Sequence, residues 1–115
     1  MQSLLDGLVS SVHGAKAALL LDSEGEIVVE AGAREHRYRL IGAYQGIALA
    51  TARRTSTRYA TGAIHYILCR YAWGHVLLRP LKDGYYLVVA LDLDGNVGQS
   101  LHRSAQVQER LNSEL

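Results

Sequence analysis

Apolar residues near the start of the sequence repeat at the spacing of an α-helix. Five of them fall at i, i+1, i+4, i+5 and i+8, on one helical face: Leu4, Leu5, Leu8, Val9 and Val12. Ser3 can cap this helix and Gly14 can close it. The pattern therefore predicts a short amphipathic helix with one side against a core.

The next two apolar stretches have the pattern of paired β-strands. Residues 17–21 are apolar without a break, residues 22–25 supply turn chemistry, and Ile27, Val28 and Val29 are β-branched. This order predicts a hairpin made of strands one and two. Because strand one lacks polar alternation, we expect both of its faces to be buried in the middle of a sheet.

A long middle helix is predicted from about His36 to Arg54, because this stretch lacks proline and contains many helix formers. Apolar or small residues occur on nearly every side of it, and they include Leu40, Ile41, Gly42, Tyr44, Gly46, Ile47, Ala48, Leu49 and Ala52. Such a helix should be covered on more than one side.

Three further strands and a last helix are predicted in the second half of the chain. The strands are residues 62–71, residues 75–78, which Pro80 ends, and residues 85–91, which are again apolar on both faces. A polar loop over residues 92–96 leads to the last helix. The apolar face of that helix is formed by Val97, Leu101, Ala105 and Leu111.

The predicted order of elements is α-β-β-α-β-β-β-α, in a single domain over residues 1–115. Every link between consecutive strands is short enough for a hairpin, except the one that passes through the middle helix. Two strands that are buried on both faces need cover on both sides of the sheet. We therefore expect an α/β sandwich, with the middle helix on one face and the two terminal helices on the other.

Composition narrows the possible functions. The chain is 49% hydrophobic and carries a net charge of +1, so it should fold and lacks the basic footprint of a nucleic-acid binder. No apolar run is long enough to insert into a membrane, and the N-terminus lacks the basic region of a signal peptide. Cys69 is the only cysteine, which excludes an internal disulfide. A cytoplasmic location is therefore the default expectation.

No group of residues predicts catalysis, a metal site or a cofactor. The five histidines lie in different predicted elements and never at zinc spacing: they are His13, His36, His65, His75 and His102. Asp92-Leu93-Asp94-Gly95 is similar to the start of a calcium loop, but Arg103 stands where an EF-hand needs glutamate, so a turn and helix cap is the better interpretation. G-x-S-x-G, P-loop and G-x-G-x-x-G motifs are absent. We expect a non-enzymatic protein without a cofactor.

The third predicted strand, from Gly62 to Arg70, has the features of an edge that pairs with another copy. Both of its faces are largely apolar and Arg70 is its one charged residue. Such an edge is an aggregation hazard unless something pairs with it. Gly42 and Gly46 share one face of the middle helix, where small side chains permit close contact either with a second helix or with the chain's own sheet.

Arginines flank the middle helix at both ends. At the C-terminal end the helix dipole is a sufficient reason for them, whereas at the N-terminal end the dipole disfavours them. Contact with an acidic partner, or simple solubility, would explain the second group. The predicted partner-binding residues are Arg37, Arg39, Arg53 and Arg54.

The order of elements, with the sequences inside them, resembles the roadblock (dynein light chain) family, which includes bacterial gliding-regulator-like proteins. The resemblance covers nearly the whole chain. Its first part is Leu4-Leu5-Asp6-Gly7-Leu8 and a hairpin that ends near Gly32. Its more specific part is similar to that family's final hairpin and last helix, over residues 74–81, 84–89 and 92–98.

This resemblance implies a profilin-like, five-stranded antiparallel sheet in the order 2-1-5-4-3. It implies homodimers in which the third strands pair and the middle helices pack together, and work as a scaffold or as a regulator of a small Ras-like GTPase. Of the two possible contacts of Gly42 and Gly46, the resemblance favours the middle helix of a second copy over the chain's own sheet. The predicted dimer interface is then Gly42, Gly46, Leu49, Ile64, Tyr66 and Leu68.

The alternative function is a small-molecule sensor or ligand-binding α/β module, since such folds have a similar content of elements. A sensor should contain a large cavity inside the monomer. An adaptor should instead have a filled core and an apolar external face.

Overall fold

A computed structural model, which describes residues 1–115, contains one antiparallel sheet in the order β2-β1-β5-β4-β3. The strands are β1 (Ala15–Leu21), β2 (Ile27–Gly32), β3 (Ile67–Tyr71), β4 (Gly74–Pro80) and β5 (Tyr86–Asp92). The helices are α1 (Gln2–Ser11), α2 (His36–Tyr59) and α3 (Val97–Glu114), with a short 3-10 turn at Lys82–Gly84. The sheet order predicted from the sequence is confirmed.

The two faces of the sheet bury separate halves of the core. Leu19 and Leu21 of β1 lie in the cluster under α2, while Leu20 between them lies in the cluster that includes Leu5 of α1 and Leu111 of α3. The two central strands, β1 and β5, are therefore buried on both sides, as their unbroken apolar sequences predict. This arrangement confirms the three-layer sandwich with one helix on one face and two on the other.

Helix α2 lies against the sheet through two glycines and a tyrosine. The hydroxyl of the buried Tyr86 donates a 3.0 Å hydrogen bond to the carbonyl of Gly42. A Cβ atom at Gly46 would lie 2.6 Å from the oxygen of Tyr86, and one at Gly42 would lie 2.9 Å from Cδ1 of Leu19. Contact with the chain's own sheet is thus sufficient to explain the small size of both glycines.

The third strand is shorter than the sequence predicts, because it begins at Ile67 instead of Gly62. Ile67 pairs with Leu78, and this register would place His65 opposite Pro80. Proline has no N–H to donate, so the ladder cannot continue across it. The preceding residues, 61–66, form no regular structure.

Helix α2 extends to Tyr59, five residues beyond its predicted end at Arg54. It stops at Ala60, which adopts a left-handed conformation with φ 53°, and whose N–H donates to the carbonyl of Ser56. The sequence between Arg54 and Ala60 contains no proline or glycine that would end the helix earlier.

The contact between Gly46 and Tyr86 predicts that even a single added methyl group at position 46 destabilises the fold. Gly46→Ala should lower the free energy of unfolding by about 1–3 kcal/mol, because the added methyl collides with the tyrosine oxygen. Urea unfolding measures this loss. Tyr86→Phe should relieve part of the collision, so the double variant should lose less than the sum of the single changes.

Gly7→Ala in α1 is the matched control, because a Cβ atom there would have nothing within 4 Å. That change should stabilise the protein by about 0.5–1 kcal/mol. If Gly46→Ala is as harmless as Gly7→Ala, the close contact under α2 is wrong.

Candidate interaction surface

The outer face of α2 exposes an apolar stripe. Helix residues Tyr38, Gly42, Gln45 and Leu49 face the sheet and are buried. Three large hydrophobic side chains, each two residues after one of these buried positions, are between 44 and 65% exposed: Leu40, Tyr44 and Ile47. Large apolar groups repeated along one exposed helix face mark a contact surface more often than isolated ones do.

The free edge of β3 carries the second exposed apolar group. Leu68 and Tyr71 within the strand, Tyr66 just before it and Trp73 just after it are each more than a third exposed. Arg70 is the one charged residue of the strand. We call the two groups together the α2–β3 surface: Leu40, Tyr44, Ile47, Tyr66, Leu68, Tyr71 and Trp73.

The opposite edge of the sheet, β2, is protected. The carboxylate of Glu30 in β2 contacts Arg39 at 2.7 Å and Arg34 at 3.9 Å. The carbonyl of Glu30 accepts a 2.8 Å hydrogen bond from the side chain of Gln2. Charges and a covering helix are two ways in which proteins block strand addition at an edge. The chain therefore blocks one edge of its sheet and leaves the other open.

Aromatic and arginine side chains join the two parts of the α2–β3 surface. The rings of Tyr71 and Trp73 stack with centroids 5.6 Å apart. The guanidinium of Arg37 in α2 lies 5.9 Å from the ring centre of Trp73. Gln45 of α2 donates to the hydroxyl of Tyr71 at 3.4 Å, while its own amide oxygen is buried without a partner. Tryptophan, tyrosine and arginine dominate the binding energy of protein interfaces.

Arg79 of β4 is a buried residue of this region that the sequence analysis missed. Its guanidinium donates to the hydroxyl of Ser104 and to the carbonyl of Leu101, both at 2.8 Å, and lies 5.3 Å from the ring centre of Tyr66. Burial lowers the pKa of Arg79. This side chain ties α3 and the segment before β3 to the sheet. Its place in a mostly apolar strand was the signal available in the sequence.

The predicted partner-binding arginines differ in what they contact. Arg39 binds Glu30 with two hydrogen bonds, and Arg37 binds Glu35 at 2.9 Å. Arg53 and Arg54 form no ion pair, although Arg54 reaches a threonine hydroxyl within its own helix. Only the C-terminal pair is therefore free to meet an acidic surface.

Charge is concentrated on α2. The helix contains five arginines and no acidic residue. Since the whole chain carries +1, the remainder of the chain carries a net charge of −4. A balanced total thus conceals one strongly basic helix.

The residues predicted for the dimer interface fall into two groups. Gly42, Gly46 and Leu49 face the chain's own sheet, and Ile64 packs partly against the same cluster. Tyr66 and Leu68 are exposed at the β3 edge. The exposed stripe of α2 was present in the sequence pattern, but the pattern did not show which side of the helix the sheet would cover.

The structure shows no candidate metal site. His, Cys, Asp and Glu side chains do not gather in any group of three or more that could hold a metal ion. No helix is long and apolar enough to cross a membrane. The depressions are surface grooves of about 260 to 440 Å³, and the largest lies between α1 and α3. The loop over residues 92–96 is a turn from which Asn96 caps α3.

A filled core, an apolar external surface and an open sheet edge define an interaction domain. Residues 1–91 match the family model of the Roadblock/LC7 domain. The chain belongs to the Roadblock/LC7 family, as its resemblance predicted. This is a family of regulators and adaptors. Comparison with curated proteins gave no match.

Solved structures agree with this fold. A Roadblock/LC7 domain from Streptomyces avermitilis is similar with a TM-score of 0.89 and 16% identity, over 99% of this chain and 96% of that one. MglB from Myxococcus xanthus is similar with a TM-score of 0.86 and 16% identity, over 97% and 91%. MglC from Myxococcus xanthus has a TM-score of 0.70 and 24% identity, over 98% and 97%.

The ion pairs at the β2 edge predict a pH-dependent stability. The hydrogen bond from Arg39 holds the pKa of Glu30 below its ordinary value. A carboxylate whose pKa is lowered by folding stabilises the fold above its unfolded pKa, and this stabilisation is lost as the pH falls through the folded pKa. At about pH 7, Glu30→Gln should therefore lower the free energy of unfolding by about 1 kcal/mol.

Urea unfolding at about pH 7 and about pH 3 tests this expectation, because the loss caused by Glu30→Gln should shrink as the pH falls and Glu30 becomes protonated. Glu109→Gln is the control, since Glu109 forms no ion pair. A difference for Glu30→Gln that stays the same at both pH values would contradict the assignment.

Proposed function

We propose that this protein is a non-enzymatic homodimeric adaptor that binds and regulates a small Ras-like GTPase in the cytoplasm. The observation that carries the proposal is the α2–β3 surface, which combines an open sheet edge with an apolar helix stripe. Family membership supports the regulatory role, and the roadblock resemblance implies the class of partner.

The dimer uses both parts of this surface. Pairing of β3 with a second β3 satisfies the open backbone groups and forms a continuous sheet. Cys69 is the central residue of β3. A two-fold axis near Cys69 places Arg70 opposite Leu68 of the second copy, whereas an axis at Arg70 would oppose two like charges, which is unfavourable. The same axis brings the stripes of the two α2 helices to one side of the sheet.

Tyr44 and Ile47 are central to the helix contact, because they are the most exposed hydrophobic residues of the stripe. They replace Gly42, Gly46 and Leu49 as the helix residues that we assign to the interface, since those three are used inside the monomer. Tyr66 and Leu68 keep their assignment at the strand edge.

The GTPase binds at the C-terminal end of α2. Arg53 and Arg54 have no internal carboxylate partner, so they can pair with acidic residues of the GTPase without breaking a bond in this chain. No catalytic residue is donated. Regulation follows if the adaptor binds one conformation of the switch loops more tightly than the other, because tighter binding raises the population of that conformation.

The sensor alternative has less support. A sensor requires a cavity inside the monomer, whereas the depressions described above lie between elements at the surface. The side chains of both core clusters fill the space between the sheet and its helices.

The dimer is tested by charge placed on the helix stripe. Wild-type protein at micromolar concentration should sediment at twice the 12.6 kDa mass of one chain. Ile47→Asp should weaken the dimer about tenfold or more, since the carboxylate would be desolvated in the interface. Because Ile47 is 63% exposed, the monomer should keep its fold, as circular dichroism can check.

Leu93→Asp is the matched control, because Leu93 is 46% exposed but lies in the turn between β5 and α3. It should leave the dimer intact. A wild-type chain that sediments as a monomer, or equal weakening by both variants, would show that this surface does not mediate self-association.

The partner is tested by capture from extracts of the native cells with purified adaptor, in GDP and in a non-hydrolysable GTP analogue. Mass spectrometry should identify a Ras-like GTPase, with a preference of about fivefold or more for one nucleotide. Replacing both Arg53 and Arg54 by Glu should abolish capture without changing the mass of the dimer.

The control for charge reversal replaces Arg103 and Arg110 by Glu, since these residues lie on α3 at the other face of the sheet. Capture should persist in this variant. A GTPase that binds equally in both nucleotide states would contradict regulation through the switch loops, and capture of no GTPase would contradict the assigned partner.

A further inference from the structure

The C-terminal end of α2 carries three consecutive hydroxyl residues between arginines. The sequence over residues 53–58 reads Arg-Arg-Thr-Ser-Thr-Arg. Ser56 therefore has arginines at its −3 and −2 positions, and no acidic residue occurs anywhere in the helix. Charge patterns of this kind are what kinases use to select substrates, because their clefts supply the complementary acidic groups.

This end of the helix is accessible. Every residue from Arg53 to Ala63 is exposed except Ser56, which is half-buried. Threonines at 51, 55 and 57 are poor helix formers. With little packing to hold it, the last turn can open locally at low cost and present its serine in extended form.

Ser56 also holds the loop that leads from α2 toward β3. Its hydroxyl donates to the carbonyl of Gly62. Its carbonyl accepts from the N–H of Ala60 and, at 3.1 Å, from the N–H of Thr61. One residue thus fastens three consecutive positions of the loop, and beyond them the chain reaches the open edge of the sheet.

We propose that Ser56 is a phosphorylation site and that its modification releases this loop. The serine oxygen bonds to the γ-phosphorus of a nucleoside triphosphate, the bond from that phosphorus to the bridging oxygen breaks, the diphosphate leaves, and the serine proton passes to the kinase base. The inference does not depend on the dimer or on the GTPase.

Phosphorylation changes the loop contacts in two ways. The modified oxygen has no proton to donate, so the bond to Gly62 is lost. A phosphate carries about −1.5 to −2 charges at pH 7 and is repelled by the carbonyl groups at a helix C-terminus. Arg53 lies on the same helical face three residues earlier and lines the same groove as Ser56 and Gly62, so it can pair with the phosphate.

The test treats the full-length chain with ATP and a serine/threonine kinase that selects arginines at −3 and −2. Mass spectrometry should find one phosphate, on Ser56. Hydrogen exchange should then be faster at the amides of Ala60 and Thr61, which donate to the Ser56 carbonyl, while β1 and β5 stay protected. Ser56→Ala should remove the phosphate, and replacing Arg53 and Arg54 by alanine should slow its addition about tenfold or more.

Ser113 is an internal control, because it is exposed near the end of α3 with Arg110 at −3 but leucine at −2. It should remain unmodified. Phosphate on Ser113, on Thr55 or on Thr57 in place of Ser56 would overturn the site. Phosphate on Ser56 with unchanged exchange at Ala60 and Thr61 would overturn the release of the loop.

Discussion

The hydroxyl of Tyr86 beneath α2 determines how the long helix lies on the sheet. A buried phenol needs a hydrogen-bond acceptor, and here the acceptor is the carbonyl of Gly42 in the helix itself. The oxygen can reach that carbonyl only because no side chain stands at Gly46. This contact fixes the rotation of the helix about its axis. It therefore also decides that Tyr44 and Ile47, and not the glycines, face outward.

The arginines of α2 have different surroundings at its two ends. At the N-terminal end of α2 the arginines are used locally, as Arg39 lies against Glu30 of the protected edge and Arg37 lies beside Trp73. At the C-terminal end they meet no carboxylate. The arginines at the N-terminal end of α2 thus have partners within the chain, whereas those at the C-terminal end are free to bind another protein. The apolar stripe lies between the two ends. A small domain can in this way present a basic region that the net charge of the whole chain does not indicate.

The sequence predicted the sheet well, because its central strands are apolar on both faces and the connections between them are short. It could not decide between two contacts that would each require the same small residues. A glycine pair shows that something approaches closely, but the pattern could not distinguish the chain's own Tyr86 from a second helix. The start of β3 was misplaced for a related reason, since its apolar pattern continues to Gly62 while Pro80 ends the ladder on the neighbouring strand. Arg79 escaped notice because charge in a strand normally indicates exposure.

The unequal edges of the sheet set a limit on assembly size. Only β3 can accept another strand, since β2 is closed by the Glu30 ion pairs and by Gln2. In the dimer that we propose, each copy would use its one open edge on the other, and both ends of the enlarged sheet would be protected β2 strands. Growth would stop at that point, so a chain with an exposed apolar strand would still be prevented from forming filaments.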